Sequence, residues 1–306
     1  MKHHYLPQFY LQGFTDPDTP QGQEPYVWVH RAEDRTWERR APVNVAAETD
    51  YYVFTDETGN ESHEIEQAFS QVESIWAPLI REKIQRQRSF TAEERLEFAG
   101  FVALMYARVP GQIEHVGDFM AEVAEMVAAT YLQAWKEDPR RLEAFKRQYR
   151  EEMGEEFGDV RPEDLSMEGI KITTKRPAAL AMTLSTVTTA AQLIADMGWT
   201  FWLSSAPDFF ITSDYPFCLH NPKIPPDSPY GPGLGQKHVE VTMPITREIA
   251  FMAGWPSQGT RWRQAPRNIV EQMNYRAAMR ASRFLIAPKP TFPGSDVILG
   301  TGGPGC

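Results

Sequence analysis

Cysteine is almost missing from this sequence. The chain has two, Cys218 and Cys306, far apart and in no CxxC spacing. Neither a disulfide framework nor a cysteine metal site is available, and a reducing compartment, the cytoplasm, is expected. Also missing are a basic-then-apolar leader and any run of eighteen apolar residues, which speaks against secretion and membrane spanning. Basic charge is in deficit: 31 Lys and Arg against 41 Asp and Glu leave a net charge of −10. That balance disfavours an extended basic nucleic-acid surface or a polybasic membrane face. The basic clusters at Arg81 to Arg88 and Arg140 to Arg150 are interleaved with acids and read as solvated helix faces. GxxxxGKS/T, HExxH and GxSxG are absent as well. Standard nucleotide loops, zincin chemistry and the hydrolase elbow therefore lose support.

What is present supports a large folded core. The 306 residues are 42% hydrophobic, enough for one large domain or two ordinary ones. The chain opens on Met1-Lys2-His3-His4-Tyr5-Leu6-Pro7-Gln8-Phe9-Tyr10-Leu11, too aromatic for a frayed terminus. Tyr26 to His30, Trp37, and Tyr51 to Phe54 are β-branched and aromatic, with a turn at Asp56 to Asn60, and predict short antiparallel strands. From about Ser62 the pattern becomes helical. Ile65, Phe69, Val72, Trp76, Leu79 and Ile84 share one side, predicting a helix kinked at Pro78.

Thr91-Ala92-Glu93-Glu94 is a capping box that starts the next helix, which ends near Pro110-Gly111. Helices follow over 112–136, with Val123, Val127 and Tyr131 among the inward residues, and over 140–153; another begins at Pro177. Beyond Gly198 strands return, interrupted by a Pro- and Gly-rich loop at 222–236 and by a helix from Asn268 to Ser282. The expected fold is α+β: a helical bundle over about 62–198 with a small, mostly antiparallel sheet built from both ends of the chain. Residues 1–287 form one domain in this reading, and 288–306 a loosely held Gly/Pro-rich tail.

The adjacent histidines His3 and His4, beside Tyr5 and Gln8, are the most reactive grouping. Imidazole suits proton transfer near neutral pH and metal binding alike, and neighbours on an extended segment point to opposite sides. The acid best placed to join them is Asp214, in Ser213-Asp214-Tyr215-Pro216 directly after the apolar strand Phe209 to Thr212. There a rigid sheet presents a side chain from a turn. Glu66 and Glu73, two helical turns apart at the border between core and solvent, add carboxylates for acid–base work or for a divalent cation. Each has a plain alternative: a core histidine, an aspartate bonding turn amides, solvated helix carboxylates.

His3 to Leu11, the helix from Glu64 to Ser74, Ile211 to Pro216, Met243-Pro244-Ile245-Thr246 and Asn274 together resemble DUF4238, a microbial family of unknown function. The resemblance spans nearly the whole chain. It implies that these segments belong to one module and are expected to meet in space; it brings no activity, substrate or cofactor with it.

Three functions stay open. The first is a cytoplasmic hydrolase of phosphodiesters or nucleotides. His3 or His4 would be base or ligand, and Asp214 metal ligand or orienting acid. Glu66 and Glu73 would assist on a divalent metal, and Tyr5, Gln8, Ser213 and Asn274 would contact a small-molecule or nucleotide ligand. The second is a non-enzymatic binding or interaction protein whose His/Tyr/Gln cluster is a buried polar network. The third is a toxin or defence effector acting on nucleic acid through a local basic groove.

Overall fold

The computed structural model describes residues 2–33, 35–55, 61–158, 160–161, 165–225, 228, 231–256 and 258–300. The turn expected at Asp56 to Asn60, and Cys306, lie outside these residues. The fold is α+β. It divides into two compact units, Met1–Gln112 with Thr183–Cys306, and Ile113–Met182.

In chain order the elements are β1 (Lys2–His4), α1 (Gln8–Gln12), β2 (Val27–Arg31), β3 (Trp37–Arg40), β4 (Ala47–Thr49), β5 (Phe54–Thr55), β6 (Glu61–Ser62), α2 (Glu64–Leu79) and α3 (Ala92–Ala107). Then come α4 (Pro110–Glu137), α5 (Pro139–Met153), α6 (Arg176–Ser185), α7 (Val187–Asp196), β7 (Gly198–Leu203), β8 (Thr212–Ser213), β9 (Cys218–His220), β10 (Glu240–Thr246) and β11 (Ile249–Gly254). Last are β12 (Thr260–Gln264), α8 (Arg267–Arg280), β13 (Phe284–Ala287) and α9 (Ser295–Gly300). The strands form a sheet ordered β12-β7-β11-β10-β9, another ordered β3-β2-β13-β8, and the pairs β1-β4 and β5-β6. Among the described strands β12 runs parallel to β7, and the other pairings are antiparallel. β13 lies between β2 and β8, with Leu285 opposite both His30 and Ser213, so early and late segments share one sheet.

The first unit is built on α3. Thr91 Oγ1 accepts the Glu94 amide at 3.2 Å and Glu94 Oε2 accepts the Thr91 amide at 2.8 Å, so the capping box starts the helix as expected. Buried Phe98 meets the rings of Trp199 at 5.4 Å, Phe201 at 5.7 Å and Phe251 at 5.1 Å. These tilted and edge-on aromatic contacts seat α3 on β7 and β11 and add to plain area burial. α8 packs two ways, with Val270 and Met273 against Phe210 and Ala250, and Ala277 against Ile211, Leu285 and Phe292.

α1 approaches β10 so closely that a Cβ on Gly13 would lie 3.0 Å from Thr246 Cγ2 and 3.2 Å from the Ile245 carbonyl. Glycine permits that approach. Beside it, the Tyr10 hydroxyl donates to Pro244 O at 2.8 Å, so its 2.7 Å contact with Thr212 Oγ1 is donated by the threonine.

Pro78, where a kink was expected, stays inside α2, and one π-helical turn follows over Ile80–Ile84. Pro78 has no N–H to give and its ring crowds the preceding turn. The stretch Arg176–Asp196 is, by length and composition, apolar enough to cross a membrane. It breaks at Thr186, whose hydroxyl donates to Thr183 O at 2.7 Å. Its second half, α7, buries Ala190, Ala191 and Ile194 and packs on α3.

In the second unit, Asp138 caps α5 by accepting the Arg140 amide at 3.2 Å, and Trp135 packs on Phe145 at 4.9 Å between ring centres. Val123, Val127 and Tyr131, expected inward, are exposed together with Phe119 and Met126. Period 3.6 marks a face; it does not say what covers it.

The segment after residue 287 is held through residue 293. Phe292 is buried, Asn274 Nδ2 donates to Pro293 O at 3.2 Å, and Lys289 pairs with Asp16 at 2.8 Å and with Asp18. Burial works to raise the Asp16 carboxyl, but Lys289, the Asp18 amide and Trp28 together hold it below its usual value. A depressed folded pKa means that this contribution is present above the unfolded value near 3.9 and is lost as pH falls through the folded one. Acidification below about pH 4, or Lys289→Met at neutral pH, is expected to speed amide exchange over residues 288–294. Unchanged exchange in the variant would show that the ion pair does not hold the segment.

Candidate functional site

β1 pairs with β4, His3 lying opposite Glu48, and the strand's alternation sends the two histidines to different places. His3 is 0% exposed. Its Nδ1 accepts the Tyr52 amide at 3.1 Å. An amide can only donate, so the ring proton of a neutral His3 sits on Nε2, which is enclosed and has no partner among the described residues. The imidazole stacks on Tyr52, 6.0 Å and 9° apart, and meets the edge of His63 at 6.4 Å. His4 turns outward, its Nε2–H donating to Val43 O at 3.0 Å.

α2 and α3 supply the rest. Arg108, at the C-terminal end of α3, is 1% exposed. Its Nη1 meets Glu73 Oε1 at 2.7 Å and its Nη2 donates to the backbone carbonyl of His4 at 2.6 Å. The guanidinium lies 4.4 Å from the Phe69 ring centre and 5.9 Å from that of Tyr52. In return the Tyr52 hydroxyl donates to Arg108 O at 2.9 Å. Burial pushes the Tyr52 phenol up to about 12; Arg108 pulls it back, and the carboxylates of Glu66 and Glu73 add to the rise. Tyr52 therefore stays a donor at neutral pH. Glu66 is half-buried, with Oε2 enclosed and unpartnered, and Arg108 Nε is in the same condition. Among the described residues two donors, His3 Nε2–H and Arg108 Nε–H, and one acceptor, Glu66 Oε2, thus lie around Tyr52 without partners.

His3, Glu66 and Glu73 are therefore brought into one neighbourhood. Asp214 is held elsewhere. Its Oδ1 accepts the Ser282 amide and its Oδ2 the Arg283 amide, each at 3.0 Å, which clamps the turn between α8 and β13. Burial raises its carboxyl, with the Arg283, Ser282 and Phe284 amides pulling the other way. Ser213 Oγ donates to Tyr215 O at 2.9 Å and accepts the Tyr215 amide at 3.2 Å, closing its own turn. Asn274 serves the backbone: Oδ1 accepts from Ile211 N at 3.0 Å, and Nδ2 donates to Phe209 O at 3.1 Å as well as to Pro293 O. Gln8 is exposed along a shallow groove with Gln12 and Glu24, and Tyr5 lines a different groove with Glu48 and Arg283.

The metal set read from the sequence, Glu66, Glu73 and Asp214, is not assembled. Glu73 is paired with Arg108 and Asp214 is occupied by amides. Among the described residues no group of three His, Cys, Asp or Glu is placed to hold a metal ion.

Sequence reasoning missed Arg108, Tyr52 and His63. For Arg108 a signal existed: it is the lone charge in the apolar run Phe101 to Val109, and a charge carried into a core needs a partner. No curated protein and no solved structure matches this chain. One family model does, over residues 2–291, that of DUF4238, described as a protein of unknown function, and the chain belongs to that family.

Proposed function

We propose that the protein is a hydrolase of phosphoesters, phosphodiesters or nucleotides being the substrate class, working in the neighbourhood of Tyr52. The observation that carries this is the trio of enclosed atoms without partners among the described residues, His3 Nε2, Arg108 Nε and Glu66 Oε2. Buried polar atoms are seldom left unpaired, and a ligand that completes them removes the cost. In this reading His3 and Arg108 donate to phosphoryl oxygens, and Glu66 takes a proton from an attacking water. The water oxygen bonds to phosphorus, the bond to the leaving oxygen breaks, and Glu66 returns the proton to that oxygen. His3 acts as donor rather than base, since its Nδ1 already accepts the Tyr52 amide.

The test is turnover of bis(p-nitrophenyl) phosphate, p-nitrophenyl phosphate and a nucleotide panel. Glu66→Gln is expected to lower kcat about a hundredfold without moving the melting temperature. No turnover by the wild-type protein, or full turnover by Glu66→Gln, sinks the reading.

One observation favours a second reading, an interaction protein with a structural polar network. Tyr52, Arg108 and the His4 carbonyl bind one another and tie β1 to α3. In that case Glu66→Gln is silent in every assay while His3→Ala lowers stability.

A further inference from the structure

Tyr5 belongs to the N-terminal motif but takes no part in the grouping around Tyr52. Its side chain is 2% exposed, and among the described residues its hydroxyl has no hydrogen-bond partner. The phenol lines a groove of about 190 Å³ with Arg31, Glu38, Arg40, Glu48 and Arg283. Adjacent strands bring these charges together: Arg31 from β2, Glu38 and Arg40 from β3, Glu48 from β4, and Arg283 just before β13.

The pairings in the groove leave donors over. Arg31 Nε and Arg40 Nη2 both meet the Glu38 carboxylate, each at 2.9 Å, and Arg283 pairs with Glu48. Arg31 and Arg40 each commit one nitrogen to Glu38, so the rest of each planar guanidinium fork remains for a ligand. Ion pairs this exposed contribute little by themselves and do not lock the side chains. Three arginines and two glutamates line the groove, and the Asp214 carboxylate acts on the phenol from nearby. The phenol raises no charge of its own, because burial first, and then Asp214, push it up and keep it protonated, with Arg283 pulling the other way. It is a donor facing guanidinium donors, with no acceptor assigned to it.

We infer that this groove binds a small oxyanion, a phosphate or a carboxylate, with the Tyr5 hydroxyl donating to one oxygen and the Arg31 and Arg40 guanidiniums clamping others. Geometry of this kind is what arginine forks recognise. The inference does not depend on the hydrolase reading.

Isothermal titration of inorganic phosphate, and separately of succinate, into the full chain in low-salt buffer tests it. Saturable binding of one or both is expected, and which of them binds more tightly assigns the oxyanion. Tyr5→Phe removes a hydroxyl that has no partner among the described residues, so its melting temperature should match the wild type while affinity falls roughly ten- to a hundredfold, the worth of one hydrogen bond to a charged group. Arg40→Met, on a half-exposed side chain, should weaken binding similarly. Absence of saturable binding by both probes, or affinity unchanged in both variants, overturns the inference.

Discussion

Glu73→Ala is expected to lower the unfolding free energy by about 3 kcal/mol, measured by urea denaturation. The variant leaves the Arg108 guanidinium enclosed with no carboxylate opposite it, and stripping one partner from a buried ion pair costs about 3–5 kcal/mol. The lower end applies because the Glu73 side chain is 26% exposed, so water replaces part of the lost interaction. Arg108 keeps its bond to the His4 carbonyl, which restrains the damage further. The double variant Glu73→Ala, Arg108→Met should recover part of the loss, since no unpaired charge then stays inside. A single-variant loss under about 1 kcal/mol, the range of a surface pair, would mean that Arg108 finds water in the folded state and that its burial is only apparent.

Asn274→Ala is expected to cost at least as much, on the order of 3–5 kcal/mol. Its amide sits at 0% exposure and binds three backbone groups, Ile211 N, Phe209 O and Pro293 O. Each group left unsatisfied costs about 1–3 kcal/mol. Asn274→Asp sharpens the case. It keeps the acceptor for Ile211 N but sets an oxygen against two carbonyls, so it should be no better than alanine despite its near-identical shape. Both variants should also raise amide exchange around Phe292, because the anchor at Pro293 is lost. An aspartate variant as stable as the wild type would show that the amide orientation is other than the one described.

These two residues also show what can be read from a sequence. Asn274 belongs to the family resemblance, yet its role as a three-way backbone clamp depends on segments 63, 65 and 19 residues away, which no local pattern reports. Asp214 was legible as a buried acid at the end of an apolar strand. Its partners, 68 and 69 residues further on, turn it from a candidate ligand into a turn clamp. The helices were legible where a local rule governs them. Phe69, Trp76 and Leu79 are buried on α2 as their spacing requires, and the Thr91–Glu94 box forms.

The candidate site was half legible. His3, Glu66 and Glu73 could be singled out by chemistry; of the residues that join them, Arg108 is marked only as a lone charge in an apolar run, and Tyr52 carries no signal. The same limit explains α4, where a clear apolar spacing at Val123 and Val127 predicts a face that the fold leaves exposed.

The bond from Tyr10 to Thr212 and Pro244 has a consequence for how the chain is made. Its partners lie 202 and 234 residues further along. At a synthesis rate of roughly 5–20 residues per second, the ribosome delivers them about 10–40 s or more after Tyr10 emerges. Through that interval Tyr10, buried in the finished protein, can meet Phe101, whose ring centre lies 6.3 Å away, but lacks both of its hydrogen-bond partners. The N-terminal segment thus completes its hydrogen bonding only when β8 and β10 arrive.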